Sequence, residues 1–452
     1  MNIIIVGAGR VGIDLARFLS EESLNVTLVE RDTVVARQAQ EALDVQIVEG
    51  DGTDLDLLLA HGLKECALVL ALTGSDETNI VITLIAQVQN PEAHVIAWVR
   101  GHQFTTNREL WRGKALQQTA LISPESAAQE KLLHLITWEQ AFEVVPFLDG
   151  KIHLAGFSLD ADSPLVGRSL YKIGQEWGQS GALVAAIKRG NKVLVPKGDH
   201  TFEAGDEVYL TTLKEEGPTR ILRFLGKHPT TSRQIVIVGG GRIGQSVAIE
   251  CISLGFPVTV IERDEARCRQ LAEMMPAARI LLLDATERDS LKDVITSHTT
   301  FLSLTSHEER NFMFCMVAQR LGAGITIGLM DNTAYIDMAR DIGINAVVSP
   351  RLAAVGSILR FVRKGRVVEA APLLDGKLEA ILAEVGVGSQ LDGVALKQAR
   401  IPRDVLVGAI SQNNRAGIPG GDTVVHAGDQ VLLIAPRRYL THMDNILTRT
   451  KV

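Results

Sequence analysis

Residues 3–12 read IIIVGAGRVG, and residues 235–244 read IVIVGGGRIG. Each is a β-branched run followed at once by a glycine-rich turn, Gly7-x-Gly9-x-x-Gly12 or Gly239-x-Gly241-x-x-Gly244. A strand, that turn and then a helix make the fingerprint of a dinucleotide-binding βαβ unit. The first glycine permits the tight turn, the second lets backbone approach a pyrophosphate, and the third lets helix pack on strand. The helix start offers free N–H donors and a partial positive charge to phosphate. One such pattern is a weak signal. Its return 232 residues later, from 3 to 235, decides the reading.

Working outward from these stretches, further blocks repeat in the same order. Residues 26–32, VTLVERD, return at 258–264 as VTVIERD. Asp51-Gly52-Thr53 matches Asp284-Ala285-Thr286 after a one-residue slip, while Leu72-Thr73 and Asn79 match Leu304-Thr305 and Asn311 at the original offset. Ile122-Ser123-Pro124 resembles Val348-Ser349-Pro350. In the first copy Ile3–Val6, Val26–Val29, Val45–Val48, Ala67–Leu72 and Val95–Val99 are strand candidates separated by helical spacing. Val11, Leu15, Phe18 and Leu19 form one stripe of a helix able to face a sheet. Asp76-Glu77-Thr78-Asn79 places acids and a cap candidate in a helix's first turn. Such alternation predicts parallel βαβ units covered on both faces.

After each of these parts the period changes. Residues 150–214 and 376–436 carry strand-like runs broken by Gly and Asp. Gly198-Asp199 precedes Gly205-Asp206, and Gly421-Asp422 precedes Gly428-Asp429. Turn chemistry is the favoured reading of these pairs, with a metal site as the sharper alternative. Glu215–Lys227, charged and holding Gly-Pro, is the natural join between modules. The expected fold is therefore α/β: two tandem Rossmann-like, doubly wound parallel-sheet domains, each followed by a small α+β, β-rich domain. The expected bounds are 1–140, 141–228, 229–368 and 369–452.

Composition narrows the function. With 46% hydrophobic and 22% charged residues, the 452-residue chain reads as an ordinary soluble globular protein. A net charge of −7 gives no global field for nucleic acid or an anionic bilayer. Cys66, Cys251, Cys268 and Cys315 form no C-x-x-C pair and read as packed, reduced thiols. The amino terminus reads as a first strand rather than a signal peptide. No stretch reaches the roughly 18 apolar residues of a membrane span, so any action at a membrane would pass through a partner.

The acid expected about 20 residues after the glycines is present as Glu30, with Glu262 in the second copy. Its carboxylate would accept hydrogen bonds from ribose hydroxyls and repel a 2′-phosphate, which favours NAD(H) over NADP despite the adjacent Arg31 and Arg263. Asp51 and Thr73 follow the third and fourth strand candidates, at the rim where open α/β sheets bind ligands. For these two, ligand binding and helix capping weigh evenly. No P-loop lysine, zinc spacing or G-x-S-x-G elbow occurs. Catalytic and metal-ligating residues are therefore expected to be none. The alternative, an NAD-dependent oxidoreductase acting on a small substrate, has only His102 to offer as a proton-transfer group.

The motifs G-A-G-R-V-G at 7–12, V-E-R-D at 29–32, G-D-G-T at 50–53 and T-G-S-D-E-x-N at 73–79 resemble the RCK (KTN, TrkA-N) domain family. The pattern from Pro196, with its near repeat from Pro419, is similar to the companion TrkA-C domain. The resemblance implies a non-enzymatic, nucleotide-sensing gating subunit of a potassium uptake system. It would bind NAD(H), with ATP or ADP as competing ligands. It would form a homo-oligomeric ring, dimer or tetramer, on the cytoplasmic face of the inner membrane. Its partner would be a potassium-translocating subunit of the TrkH/TrkG type, with no nucleic acid and no direct membrane insertion.

By motif match the cofactor-binding residues are Gly7, Gly9, Arg10, Val11, Gly12, Glu30, Asp51, Gly52, Thr73 and Arg100. Their counterparts are Gly239, Gly241, Arg242, Ile243, Gly244, Glu262, Asp284, Ala285 and Thr305. Arg100 matches a family arginine near the phosphates, as suits a bidentate guanidinium. In the second copy Met330 or Asp331 stands in that place, so a weaker, altered or merely structural second site is expected.

Overall fold

Why the run from Ile3 to Val6 is apolar at every position, rather than alternating, is explained by its place in the middle of a parallel sheet. All four residues are at most 2% exposed, because helices cover both faces. The protein is described by a computed structural model covering residues 1–21, 24–101, 118–177, 182–190, 192–229, 233–287, 291–362, 367–374, 377–439 and 446–447.

The first sheet is built from β1 (Asn2–Val6), β2 (Asn25–Glu30), β3 (Gln46–Glu49), β4 (Leu68–Ala71), β5 (His94–Trp98) and β6 (Thr119–Ile122). They are parallel in the order β3-β2-β1-β4-β5-β6. Between them run helices α1 (Arg10–Glu21), α2 (Thr33–Ala42), α3 (Leu55–Ala60) and α4 (Asp76–Gln89). The buried stripe of α1 is Gly12, Leu15, Ala16 and Leu19, while Val11 and Phe18 lie at its margin. Small Gly12 and Ala16 replace the expected larger residues because the helix approaches the sheet closely there. Asp32, Asp54 and Ser75 cap α2, α3 and α4 through their side-chain oxygens. The order reverses between β2 and β4 across β1, so the crevice beyond the carboxyl ends of these strands is the switch point.

The second parallel sheet repeats this order with strands Arg279–Leu282, Val258–Glu262, Gln234–Val238, Thr299–Ser303, Ile325–Leu329 and Ala346–Val348. The doubly wound expectation thus holds in both copies.

The intervening β-rich segments also share one topology. Glu143–Phe147, Ile152–Ser158, Glu207–Leu213, Ala182–Arg189 and Lys192–Leu194 make one antiparallel sheet. Val367–Leu373, Leu378–Glu384, Gln430–Pro436, Leu406–Gln412 and Arg415–Gly417 make the other in the same order. The two sheets are packed together. Leu154, Ala186 and Tyr209 share a core with Leu382, Ala409 and Ile434, and the Leu148 N–H donates to Glu369 Oε1 at 2.9 Å.

The Gly-Asp pairs are turns. Asp206, fully buried, accepts the Glu203 N–H at 2.9 Å and two bonds from Arg189, while Asp429 accepts the His426 N–H and the Gln412 amide. Among the described residues no group of acids, histidines or cysteines could hold a metal. Gly217–Phe224, read from sequence as a join, is a helix with Pro218 in its first turn and Ile221, Leu222 and Phe224 buried. Its charged residues sit on the opposite face.

By compactness the chain divides into Met1–Gln129 with Ser349–Ile358, and Glu130–Val348 with Leu359–Val452. Two helices are therefore shared out across the division. Pro350–Val362, which follows the last strand of the second parallel sheet, gives its first turns to the first unit, where Arg351 pairs with Asp14 of α1. Pro124–Thr137 gives its last turns to the second unit. No helix among the described residues is long and apolar enough to cross a membrane.

Candidate functional site

Gly7 follows β1 at φ +107°, a conformation open to glycine, and a Cβ there would lie 2.8 Å from the Leu72 carbonyl oxygen. A Cβ on Gly12 would lie 2.0 Å from the Gly7 carbonyl oxygen. Both glycines are thus required by the fold. Gly9 differs: its φ is ordinary, and a Cβ would meet nothing within 4 Å. The second copy reproduces the contrast, with Gly239 and Gly244 crowded by backbone and Gly241 facing open space. A residue kept small in both copies without an internal reason fits a loop that something from outside approaches closely.

Glu30, at the end of β2, is held by backbone. Its Oε2 accepts the Ala8 N–H at 2.7 Å and its Oε1 accepts the Asp32 N–H at 2.9 Å. Glu262 is held alike by Gly240, Arg263 and Asp264. Each oxygen of Glu30, and Oε2 of Glu262, accepts one of these bonds and has a second lone pair, so the acids are pre-oriented rather than saturated. Arg10 and Arg242 are exposed at the starts of their helices, followed by the half-buried Val11 and Ile243.

Asp51 and Asp284 close turns: Oδ1 of each accepts both the amide and the hydroxyl of the threonine two residues on. Those bonds hold both carboxyls below their usual range, and the charges of Arg263 and Arg310 add to the effect at Asp284. Gly52 and Ala285 are buried beside them. Thr73 and Thr305 are tied to a group that sequence reading left out. Fully buried Asn79 accepts the Thr73 N–H and hydroxyl on Oδ1 and donates to the carbonyls of Thr73 and Trp98. Asn311 does the same for Thr305 and Leu329. This amide locks the ends of the fourth and fifth strands to the helix between them. It was visible as a repeated residue, but in a sequence a buried Asn near a helix start looks like a cap.

The ends of the fifth strands settle which residue faces Arg100. The Asn79 amide meets the Trp98 carbonyl, and the Asn311 amide meets that of Leu329. Two residues on, the Arg100 N–H donates to Asp76, and the Asp331 N–H donates to Glu308. Arg100 therefore corresponds to Asp331. Met330 is the counterpart of Val99 and is buried in the core, which removes one of the two alternatives. Arg100 is exposed, with its backbone pinned by the α4 acid. His102 lies outside the described residues.

In the second copy Gly239, Gly241, Glu262, Asp284, Ala285 and Thr305 line a cleft of about 230 Å³. Val238, Ile261, Leu283, Ala285, Leu304 and Phe314 supply apolar surface, while Glu262, Arg263, Asp284, Thr305, His307 and Arg310 supply polar groups.

The chain was compared with known proteins. The TrkA-N domain model matches residues 3–110 and 235–350, and the TrkA-C domain model matches residues 154–217 and 381–448. The Trk system potassium uptake protein TrkA of Halomonas elongata is 32% identical over 438 residues, spanning 96% of this chain and 95% of its own length. The protein of that name from Haemophilus influenzae is 30% identical over 451 residues, spanning 99% and 97%. Among solved structures, the GsuK channel bound to NAD aligns with a TM-score of 0.60 at 17% identity, covering 99% of this chain and 78% of that one. The GsuK RCK domain aligns with a TM-score of 0.59 at 18% identity, covering 99% and 94%. At such identities the structural likeness is one of fold.

Proposed function

This chain belongs to the TrkA family, with TrkA-N and TrkA-C domains in tandem, and on that premise we propose that it is the nucleotide-sensing regulatory subunit of a Trk-type potassium uptake system. The observation that carries this reading is the open space over Gly9 in a loop whose other two glycines are locked by the fold. That loop, the helix behind it and the backbone-held Glu30 fit NAD(H), with ATP or ADP as competitors. The amides after Gly9 and the α1 terminus hold the pyrophosphate, Glu30 orients the ribose, and Asp51 and Thr73 shape the base end. Arg100 supplies a cation to the phosphates. The four domains run 1–140, 141–228, 229–368 and 369–452.

In this reading the protein performs no chemistry on its ligand. Nucleotide shifts a homo-oligomeric ring, dimer or tetramer, between arrangements by binding one more tightly than the other. The ring acts on a potassium-translocating membrane subunit of the TrkH/TrkG type from the cytoplasmic face. Equilibrium titration with NADH, NAD⁺, ATP and ADP tests it: binding at physiological concentrations is expected, and Arg100→Ala weakens it by about 1.5–3 kcal/mol, the value of a charge-assisted bond. Failure of all four nucleotides to bind would end the sensing proposal.

A further inference from the structure

Helix α1 carries an acid that its counterpart in the second copy lacks, and that acid meets a cation from far along the chain. Shared backbone bonds fix the equivalences. The Ile13 N–H donates to the Gly9 carbonyl and the Gln245 N–H to that of Gly241, so Asp14 stands where the second copy has Ser246. The Ala127 N–H donates to the Ser123 carbonyl and the Ala353 N–H to that of Ser349, so Arg351 stands where the first copy has Glu125. Asp14 and Arg351 pair through Oδ2 and Nη1. Their side chains are only 27% and 16% exposed, so salt screens the pair less than it would a surface one. Both residues lie in one compact unit, although Arg351 belongs to the helix Pro350–Val362 that follows the second parallel sheet.

One turn before Asp14, on the same face of α1, stands Arg10. It opens the helix, is exposed, and has no hydrogen bond or ion pair among the described residues. A cation at that end opposes the helix dipole, so the position is unfavourable until an anion arrives. Asp14 has the i+4 spacing to serve as that anion, but base before acid is the weaker order for such a pair. Arg351 takes the carboxylate instead, and Arg10 is left open.

Resting on the nucleotide-sensing reading, we propose that Arg351 is a positioning residue for the first site: by holding Asp14 it keeps Arg10 available to a ligand phosphate. One carboxylate is contested by two guanidiniums. While Arg351 holds it, Arg10 is free to make a charge-assisted contact. When the helix bearing Arg351 draws back, Asp14 turns to Arg10 and the loop loses its cation. Linkage makes the effect reciprocal: a nucleotide that engages Arg10 favours the Arg351–Asp14 pair, and so acts on the first turn of Pro350–Val362. With Ser246 in place of the acid, the second loop carries no such contest.

Calorimetric titration of the full chain with NADH tests this as a mutant cycle. Arg351→Gln should lower affinity about tenfold, the value of one charge-assisted bond, and Arg351→Lys should recover most of it. In an Asp14→Asn background, where no acid competes for Arg10, Arg351→Gln should cost less than about twofold. Recovery of binding in that double variant is a gain that misfolding cannot produce. In an Arg10→Gln background, which lacks the cation at stake, Arg351→Gln should again cost less than about twofold. A full loss that persists in Asp14→Asn would show that Arg351 does not act through Asp14. One that persists in Arg10→Gln would show that Asp14 acts on the ligand directly. Either result overturns the proposal, as does an Arg351→Gln variant that binds NADH like the wild type. In each of these cases the wild type still binds NADH and only this inference fails, whereas a wild type that binds none of NADH, NAD⁺, ATP and ADP defeats the reading beneath it.

Discussion

A methyl group on Gly12 would lie 2.0 Å from the Gly7 carbonyl oxygen, whereas one on Gly9 would meet nothing within 4 Å. The two glycines of one motif therefore differ in kind: the fold holds Gly12 bare, and no atom within 4 Å does so for Gly9. Gly12→Ala should destabilise the protein by about 1–3 kcal/mol, the usual cost of overpacking. Gly9→Ala should change stability by less than about 1 kcal/mol yet impair nucleotide binding, because the methyl occupies the approach to the loop. Thermal melts and NADH titrations of the two variants separate these effects. Equal loss of stability in both would show that Gly9 is structural after all. The glycines and Glu30 were legible from spacing alone. What Asp51 and Thr73 hold within the chain was not legible: Asp51 closes a turn with Thr53, and Thr73 is fastened to Asn79.

At the scale of the element, α4 does more than cover the sheet. Its first turn holds the end of β5 through Asp76, and its second holds β4 and β5 through Asn79. Asn79→Ala would leave the buried Trp98 carbonyl and the half-buried Thr73 amide without this partner, at a cost of about 1–3 kcal/mol. Urea unfolding should show a lowered midpoint with an unchanged slope; an unmoved midpoint would mean that water replaces the amide. The helices and strands themselves were readable because their apolar periods are strong. The Gly217–Phe224 helix was not, since its Gly-Pro start and charged outer face imitate a linker when Ile221, Leu222 and Phe224 cannot be seen to be buried.

At the scale of the molecule, the linking helix Pro124–Thr137 and the first β-rich sheet meet around a titratable core. His153 is buried against Trp138 at 5.0 Å between ring centroids and near His134 at 6.3 Å. Burial above all, then His134 and Lys214, push its pKa down to about 4. Its neutral form is the folded one, so its stabilising effect is full above the unfolded value of about 6.5 and is lost as pH falls toward 4. The loss approaches about 1.4 kcal/mol per pH unit within that window. Stability measured from pH 7 to 5 should fall in the wild type and fall less in His153→Phe; parallel curves would exclude His153 as the cause.

The sequence by itself determined the duplication, the two doubly wound sheets and the positions of the glycine-rich loops, because strand, turn and helix are local and each copy restates the other. It also exposed the loss of the Arg100 cation in the second copy, though not which residue replaced it. Only the tertiary structure decided that Asp331 takes the place and Met330 the core, since a one-residue slip between copies is invisible until backbone partners are known. It alone showed the two β-rich sheets sharing one core, and the compact units dividing within the helices Pro124–Thr137 and Pro350–Val362. The shared core rests on contacts between residues more than 200 positions apart, such as Leu148 with Glu369, for which no local period of the chain carries a signal.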